Sequence, residues 1–262
     1  NMIDLNLTGK RAVVTGASLG IGAAVVKMLA DQGAEVVFCA RNEDAVALLA
    51  KYQPEGPGKV SGLVADMGDA SSTNRFLSQI ETFGGADILV NNVGASPSRN
   101  FLYMSDQDWQ ELVELNLLSA VRCTRHLLPR MRKQKWGRVV MVASAAAKYP
   151  NAALIDYGAT KAAMISLSKS LARKYAADGV LVNSVMPGLI YTAMWERAAA
   201  EIAQATGSTT DKVLEDNGRG VPVGRYGTAE EVASLITFLC TNAASYINGT
   251  SIEVDGGQAA HL

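Results

Sequence analysis

Tyr157 and Lys161 stand four residues apart in YGATK, at the start of a helical pattern, so their side chains share one face. A lysine ammonium beside a phenol favours the phenolate. At about 4 Å and an effective dielectric near 20 the attraction is roughly 4 kcal/mol, or about three pKa units. That would bring a tyrosine from about 10 towards neutral pH, where general acid–base work is efficient. The same spacing also occurs in solvated surface pairs, so the setting must decide. A second stretch, TGASLGIG at Thr15–Gly22, follows an apolar strand and opens an amphipathic helix. There Gly16 suits a tight turn, Gly20 lets backbone approach a pyrophosphate, and Gly22 permits close helix–strand packing. The helix N-terminus offers N–H groups and a positive dipole end to phosphates. The spacing is G-x-x-x-G-x-G rather than G-x-G-x-x-G, and alone it also fits a structural βα turn.

The elements that position these residues are legible. Short apolar runs predict strands at Arg11–Thr15, Glu35–Ala40, Lys59–Ala65, Ile88–Asn91, Gly137–Ala143, Val180–Val185 and Ser251–Val254. Helical periodicity lies between them, at Gly20–Gln32, Ser71–Phe83, Trp109–Arg132, Tyr157–Ala176 and Ala229–Cys240. Val-rich strands alternating with helices imply a parallel sheet covered on both faces. Ile190–Pro222 breaks the rhythm and reads either as a helical lid or as a surface decoration.

Composition narrows the function classes. Apolar residues make up 48 % of the 262, charged ones 19 %, and the net charge is −1, so a sizeable core forms and a nucleic-acid or basic membrane-surface protein is disfavoured. Cys39, Cys123 and Cys240 offer neither a disulfide framework nor ligand spacing, and His126 and His261 are isolated, so no metal is expected. No run is long enough to span a membrane and no leader pattern opens the chain, which predicts a cytoplasmic protein.

Taken jointly, TGASLGIG, NNVG at Asn91–Gly94, Ser144 thirteen residues before Tyr157, Lys161, and Pro187–Gly188 resemble the short-chain dehydrogenase/reductase family from about Leu7 to Gly257. The resemblance implies an α/β fold: a single doubly wound Rossmann domain over residues 1–262, with a seven-stranded, mostly parallel sheet and helices on both faces. It implies Tyr157 as general acid or base, Ser144 as hydrogen-bond donor to the substrate oxygen, and Lys161 as holder of the nicotinamide ribose. Asn116 matches the position that keeps a helix open and anchors a relay water. Cofactor contacts carry over to Gly16, Ser18, Leu19, Gly20, Ile21, Arg41, Asp66, Met67, Asn92, Gly94, Pro187, Gly188, Ile190 and Thr192, with Tyr157 and Lys161.

The second strand ends in Ala40, where an acid would bind a ribose 2′-hydroxyl, and Arg41 follows with a fork suited to a 2′-phosphate. NADP(H) is therefore expected over NAD. Residues expected to face substrate are Ser96, Ala145, Ala146, Tyr149, Asn151, Leu189, Met194 and Trp195, mostly small or apolar, which suits an apolar ketone or its alcohol. Three functions remain open: a carbonyl reductase of unassigned substrate, a 3-oxoacyl-carrier-protein reductase with Lys135 and Arg173 docking the carrier, or an inactive nucleotide sensor or scaffold. Relatives pair the helices matching Trp109–Arg132 and Tyr157–Ala176, which implies a homodimer or homotetramer.

Overall fold

The computed structural model describes residues 4–97 and 99–259. The side chain of Met194, and His261, lie outside the described residues. Seven strands form one sheet: β1 (Arg11–Thr15), β2 (Glu35–Ala40), β3 (Lys59–Val64), β4 (Ile88–Asn91), β5 (Gly137–Val142), β6 (Val180–Pro187) and β7 (Ser251–Val254). Their order is β3-β2-β1-β4-β5-β6-β7, and every pairing is parallel. The chain runs outward from β1 to β3 and then returns to place β4 on the other side of β1. This reversal opens a crevice at the carboxyl ends of β1 and β4, where ligands of such sheets bind.

Strand alternation sends side chains into two cores. Ala12, Val14, Phe38, Val90 and Val140 pack on one face against α1 (Gly20–Asp31), α2 (Glu43–Leu49) and α9 (Ala229–Cys240). Val13, Val37, Leu89, Val139 and Met141 pack on the other against α3 (Ala70–Thr82), α5 (Ser119–Lys133) and α6 (Ile155–Tyr175). Both faces of the sheet are apolar, which is why the strands read as continuous Val-rich runs rather than alternating ones. None of the described helices is long and apolar enough to cross a membrane.

Two expectations change. The continuous helix expected over Trp109–Arg132 is instead α4 (Asp106–Val113), a π-turn over Glu114–Leu118, and α5. The widened turn lets Asn116 sit fully buried and bonded, which an apolar helix turn would not offer a polar amide. The unforeseen α2 is short and held by its cap, with Asn42 accepting from the Ala45 N–H at 2.8 Å and Glu43 and Asp44 in its first turn. The segment after β6 contains α7 (Ala193–Thr206) and α8 (Thr210–Arg219). Its two ends meet: Tyr191 N–H donates to the Gly227 carbonyl at 2.8 Å and Gly227 N–H to Leu189 at 2.9 Å.

The glycine turn after β1 is forced by contact. Gly16 has φ +64, and a Cβ there would lie 2.8 Å from the backbone Cα of Val93. A Cβ on Gly22 would meet Ala17 Cα at 2.7 Å, so α1 packs directly on the turn. Gly16→Ala combines left-handed strain with a backbone clash and should destabilise the protein by about 2–4 kcal/mol. The urea unfolding midpoint reads this, and an unchanged midpoint would contradict the close approach.

Candidate active site

The α1 N-terminus is bare. Leu19 holds the N-cap position in extended conformation with no side-chain cap, and no acid occupies the first turn. Unbonded N–H groups at the end of a twelve-residue helix form a phosphate cradle. Asn92 fixes this turn from β4, its amide donating to the carbonyls of Thr15 at 3.1 Å and Gly16 at 2.8 Å. Its neighbour Asn91 points the other way, into the core, and donates to Thr124 at 3.1 Å.

Beside the turn lies a cavity of 650 Å³ lined by Gly16, Ser18, Ala40, Arg41, Asp66, Met67, Asn92 and Gly94. Arg41 is exposed at its rim, with Asn42 next to it. Asp66 accepts from the Gly68 N–H at 2.9 Å, while the Met67 side chain is buried in the core, leaving its backbone for the cavity. Leu19 lines none of the three cavities described here, and its side chain stands in solvent at 62 % exposure.

A second cavity, of 200 Å³, gathers Ile21, Asn92, Gly94, Ser144, Tyr157, Lys161, Pro187, Gly188, Ile190 and Thr192. Tyr157 and Lys161 stand in the first two turns of α6 and Ser144 just beyond β5, so helix and strand ends converge on one point. Ser144 caps the short turn Ala145–Ala147, accepting from Ala146 N–H at 3.2 Å, and also hydrogen-bonds the Tyr157 phenol. The Lys161 ammonium is buried, 5.7 Å from the Tyr157 ring centroid, and donates to the Val142 carbonyl at 2.9 Å. A Cβ on Gly94 would come within 3.0 Å of it, so a larger residue there would press on this ammonium.

The electrostatics reverse the expected direction for Tyr157. Burial raises its phenol above the ordinary value, and the Ser144 hydrogen bond only partly offsets this. Burial also lowers Lys161 from 10.5 to about 8. The attraction of lysine for phenolate is outweighed by the cost of taking both groups out of water. A phenol held protonated is a proton donor at neutral pH.

Asn116 works through its amide. Its Nδ2 donates to the Ala95 carbonyl at 3.0 Å and to Thr160 Oγ1 at 3.1 Å, and its Oδ1 accepts from Ala95 N–H at 2.9 Å. Thr160 in turn donates to the Tyr157 carbonyl at 2.8 Å. The side chain thus clamps the backbone beyond β4 to α6. Thr160 escaped the sequence reading although it lies inside YGATK; its burial beside Lys161 was its only signal. Asp156, also unforeseen, is buried, accepts from Tyr157 N–H at 2.8 Å and faces Arg99 at 3.9 Å.

Two buried polar groups in the 200 Å³ cavity lack full partners. Among the described residues Thr192 Oγ1 has none, and the Lys161 ammonium has one oxygen acceptor. Buried groups of this kind call for a polar ligand. Together with the bare helix end, they fit a dinucleotide lying from Arg41 across Gly20 to Thr192. Next door, a cavity of 520 Å³ shares Ser144, Leu154, Pro187, Gly188 and Trp195 with the smaller one and adds Ala145, Ala146, Tyr149, Asn151, Leu189 and Gln258. Trp195 packs edge-on against Tyr226 at 6.0 Å, and Tyr226 against Tyr191 at 6.2 Å, fixing α7 over the opening. Gln258 had no sequence signal, because only the folding of the chain end onto Leu189 brings it here.

Known proteins share this arrangement. The family profile described as short chain dehydrogenase matches residues 10–203. The uncharacterized oxidoreductase YvrD of Bacillus subtilis (strain 168) is 38% identical over 259 residues, 97% of this chain and 98% of that protein. The 3-oxoacyl-(acyl-carrier-protein) reductase FabG of Aquifex aeolicus (strain VF5) is 37% identical over 257 residues, 97% of this chain and 99% of its own. The crystal structure of L-sorbose reductase from Gluconobacter frateurii, complexed with NADPH and L-sorbose, superposes with a TM-score of 0.95 at 34% identity, covering 99% of this chain and 100% of that one. With the sheet order, the glycine turn and the Ser144–Tyr157–Lys161 cluster, these matches place the chain in the short-chain dehydrogenase family, as an oxidoreductase.

Proposed function

We propose that this protein is an NADPH-dependent carbonyl reductase that converts a ketone to a secondary alcohol, with Tyr157 as the proton donor. The observation that carries the reading is the buried, Ser144-bonded phenol of Tyr157 in one cavity with an under-bonded buried ammonium and an unpartnered Thr192 hydroxyl. NADPH, when bound, supplies the hydride to the carbonyl carbon. Ser144 and Tyr157 donate hydrogen bonds to the carbonyl oxygen, and Tyr157 gives up its proton as negative charge gathers there. Lys161 holds the ribose hydroxyls; Thr192 and the Ile190 backbone hold the carboxamide, and Pro187–Gly188 back the ring. Gly16, Ser18, Gly20 and Ile21 receive the pyrophosphate at the α1 end, while Asp66 and the Met67 backbone flank the adenine.

Arg41 confers the preference for the 2′-phosphate. No acid stands at Ala40 to repel it, and the guanidinium forms no bond to another described residue that would have to break. Arg41→Ala should weaken NADPH binding by about 10- to 100-fold and leave NADH binding unchanged. Titration of the cofactor's fluorescence measures both. Equal losses for the two cofactors would remove Arg41 from this role.

In this reading the whole chain works as one unit in the cytoplasm, as a homodimer or homotetramer, with the segment about 190–222 covering the substrate. Reduction of a carrier-bound 3-oxoacyl group stays the alternative reading: Lys135 is exposed and held only by a surface ion pair to Asp178 at 2.8 Å, and Arg173 is exposed, so both are available to an acidic carrier. A sensor without chemistry has no use for the intact Asn116–Ser144–Tyr157–Lys161 set.

A further inference from the structure

The 520 Å³ cavity contains two side-chain amides, Asn151 and Gln258, and both are oriented by the backbone. Asn151 Oδ1 accepts from Ala153 N–H at 2.9 Å, and Gln258 Oε1 accepts from Leu189 N–H at 3.2 Å. Each oxygen is therefore committed, and the amide cannot rotate without breaking its bond. What each residue presents is an NH2 group, unpartnered among the described residues. Ser144 adds a third donor at the reacting end. Tyr149 donates its hydroxyl to Glu253 at 3.1 Å, and the Asp255 carboxylate is bonded to Gly257 N–H at 3.0 Å and Ala259 N–H at 2.8 Å. Among the described residues no Lys, Arg or His lines this cavity, and Lys148 is paired with Glu253 at 3.2 Å. The surroundings are small or apolar: Ala145, Ala146, Pro150, Leu189, Trp195.

A cavity whose described lining offers fixed amide donors and no cation selects a neutral oxygen acceptor. We infer that Asn151 and Gln258 are specificity residues that bind a second, uncharged oxygen of the substrate, so the substrate is an oxygenated ketone rather than a hydrocarbon one. This rests on the carbonyl-reductase reading above. The second oxygen is either an acyl carbonyl beside the ketone or a hydroxyl of a polyhydroxy ketone. Both residues are exposed to solvent, so a plain hydrocarbon ketone that covers them strips water from the amides without replacing its hydrogen bonds, and the site discriminates against a ligand that cannot pair them.

The test compares ethyl acetoacetate, L-sorbose and 2-octanone as substrates with NADPH, in wild type, Asn151→Asp and Gln258→Glu. Each substitution keeps the oxygen that accepts from Ala153 or Leu189 and turns the donor into an acceptor. Wild type should reduce at least one oxygenated ketone with kcat/KM about tenfold or more above that of 2-octanone. Preference for the ester assigns the acyl source, and preference for L-sorbose assigns the hydroxyl source. Each variant should raise KM for the favoured ketone about tenfold with kcat little changed, a larger loss than on 2-octanone, so that the preference for the oxygenated ketone narrows. Equal reduction of 2-octanone and the oxygenated ketones by wild type, or equal losses on all three in the variants, would overturn the inference and leave the reductase reading intact. If none of the three is reduced, the reductase reading falls and this inference with it.

Discussion

Tyr157→Phe lowers kcat for ketone reduction by about 10²- to 10⁴-fold and leaves the NADPH dissociation constant unchanged. The ring keeps its place on α6, because the Tyr157 backbone is held by Asp156 and Thr160 and neither bond involves the hydroxyl. Only the proton donor is lost, along with the partner of Ser144. The pH profile carries the same claim. Burial holds the phenol above its ordinary value, so the donor stays protonated through the neutral range and the reduction rate should not fall there as pH rises. A decline through neutral pH in the wild-type rate would show that lysine attraction outweighs desolvation after all.

Lys161→Met should abolish productive turnover and, without cofactor, make the protein more stable at neutral pH. Among the described residues the buried ammonium has one oxygen acceptor and no carboxylate partner, and burial lowers its pKa from 10.5 to about 8. That difference corresponds to a folding cost of about 3 kcal/mol, against about 1 kcal/mol for the lost bond to Val142, so a neutral methionine gains about 2 kcal/mol. The sign follows from the proton counts. Below about pH 8 both folded and unfolded chains hold the proton and the full cost is present. Between about 8 and 10.5 only the unfolded chain holds it, so wild-type stability rises with pH across that window. Urea melts at neutral pH and near the top of the window should show the variant's advantage shrinking to nothing. A variant less stable than wild type at neutral pH would mean that the charge is compensated in the fold.

The sheet was readable because strands buried on both faces must be continuous apolar runs, which places β1, β2, β4, β5 and β6, while the half-buried edge strands β3 and β7 follow from the alternation of strands and helices. The glycine turn was readable because each of its three bare positions has a backbone reason: Gly16 and Gly22 lie against the backbone of Val93 and Ala17, and Gly20 has φ +56. The π-turn was hidden. One extra residue per turn scarcely disturbs apolar periodicity, and Asn116 was the single residue out of character. The Tyr157 direction was misjudged because sequence gives the charge of a neighbour but not the loss of water. Gln258 and Asp156 depend on contacts between distant segments, Gln258 with Leu189 and Asp156 with Arg99, which no local pattern announces.

The central claim is that Tyr157 protonates a ketone oxygen while NADPH reduces its carbon. The most direct measurement is reduction of ethyl acetoacetate or L-sorbose with NADPH carrying deuterium at the transferable position, in wild type and Tyr157→Phe, followed by mass analysis of the alcohol formed. The account predicts deuterium on the carbinol carbon of the wild-type product and almost no product from the variant. Labelled alcohol formed equally fast by Tyr157→Phe would contradict it, because the proton would then come from elsewhere.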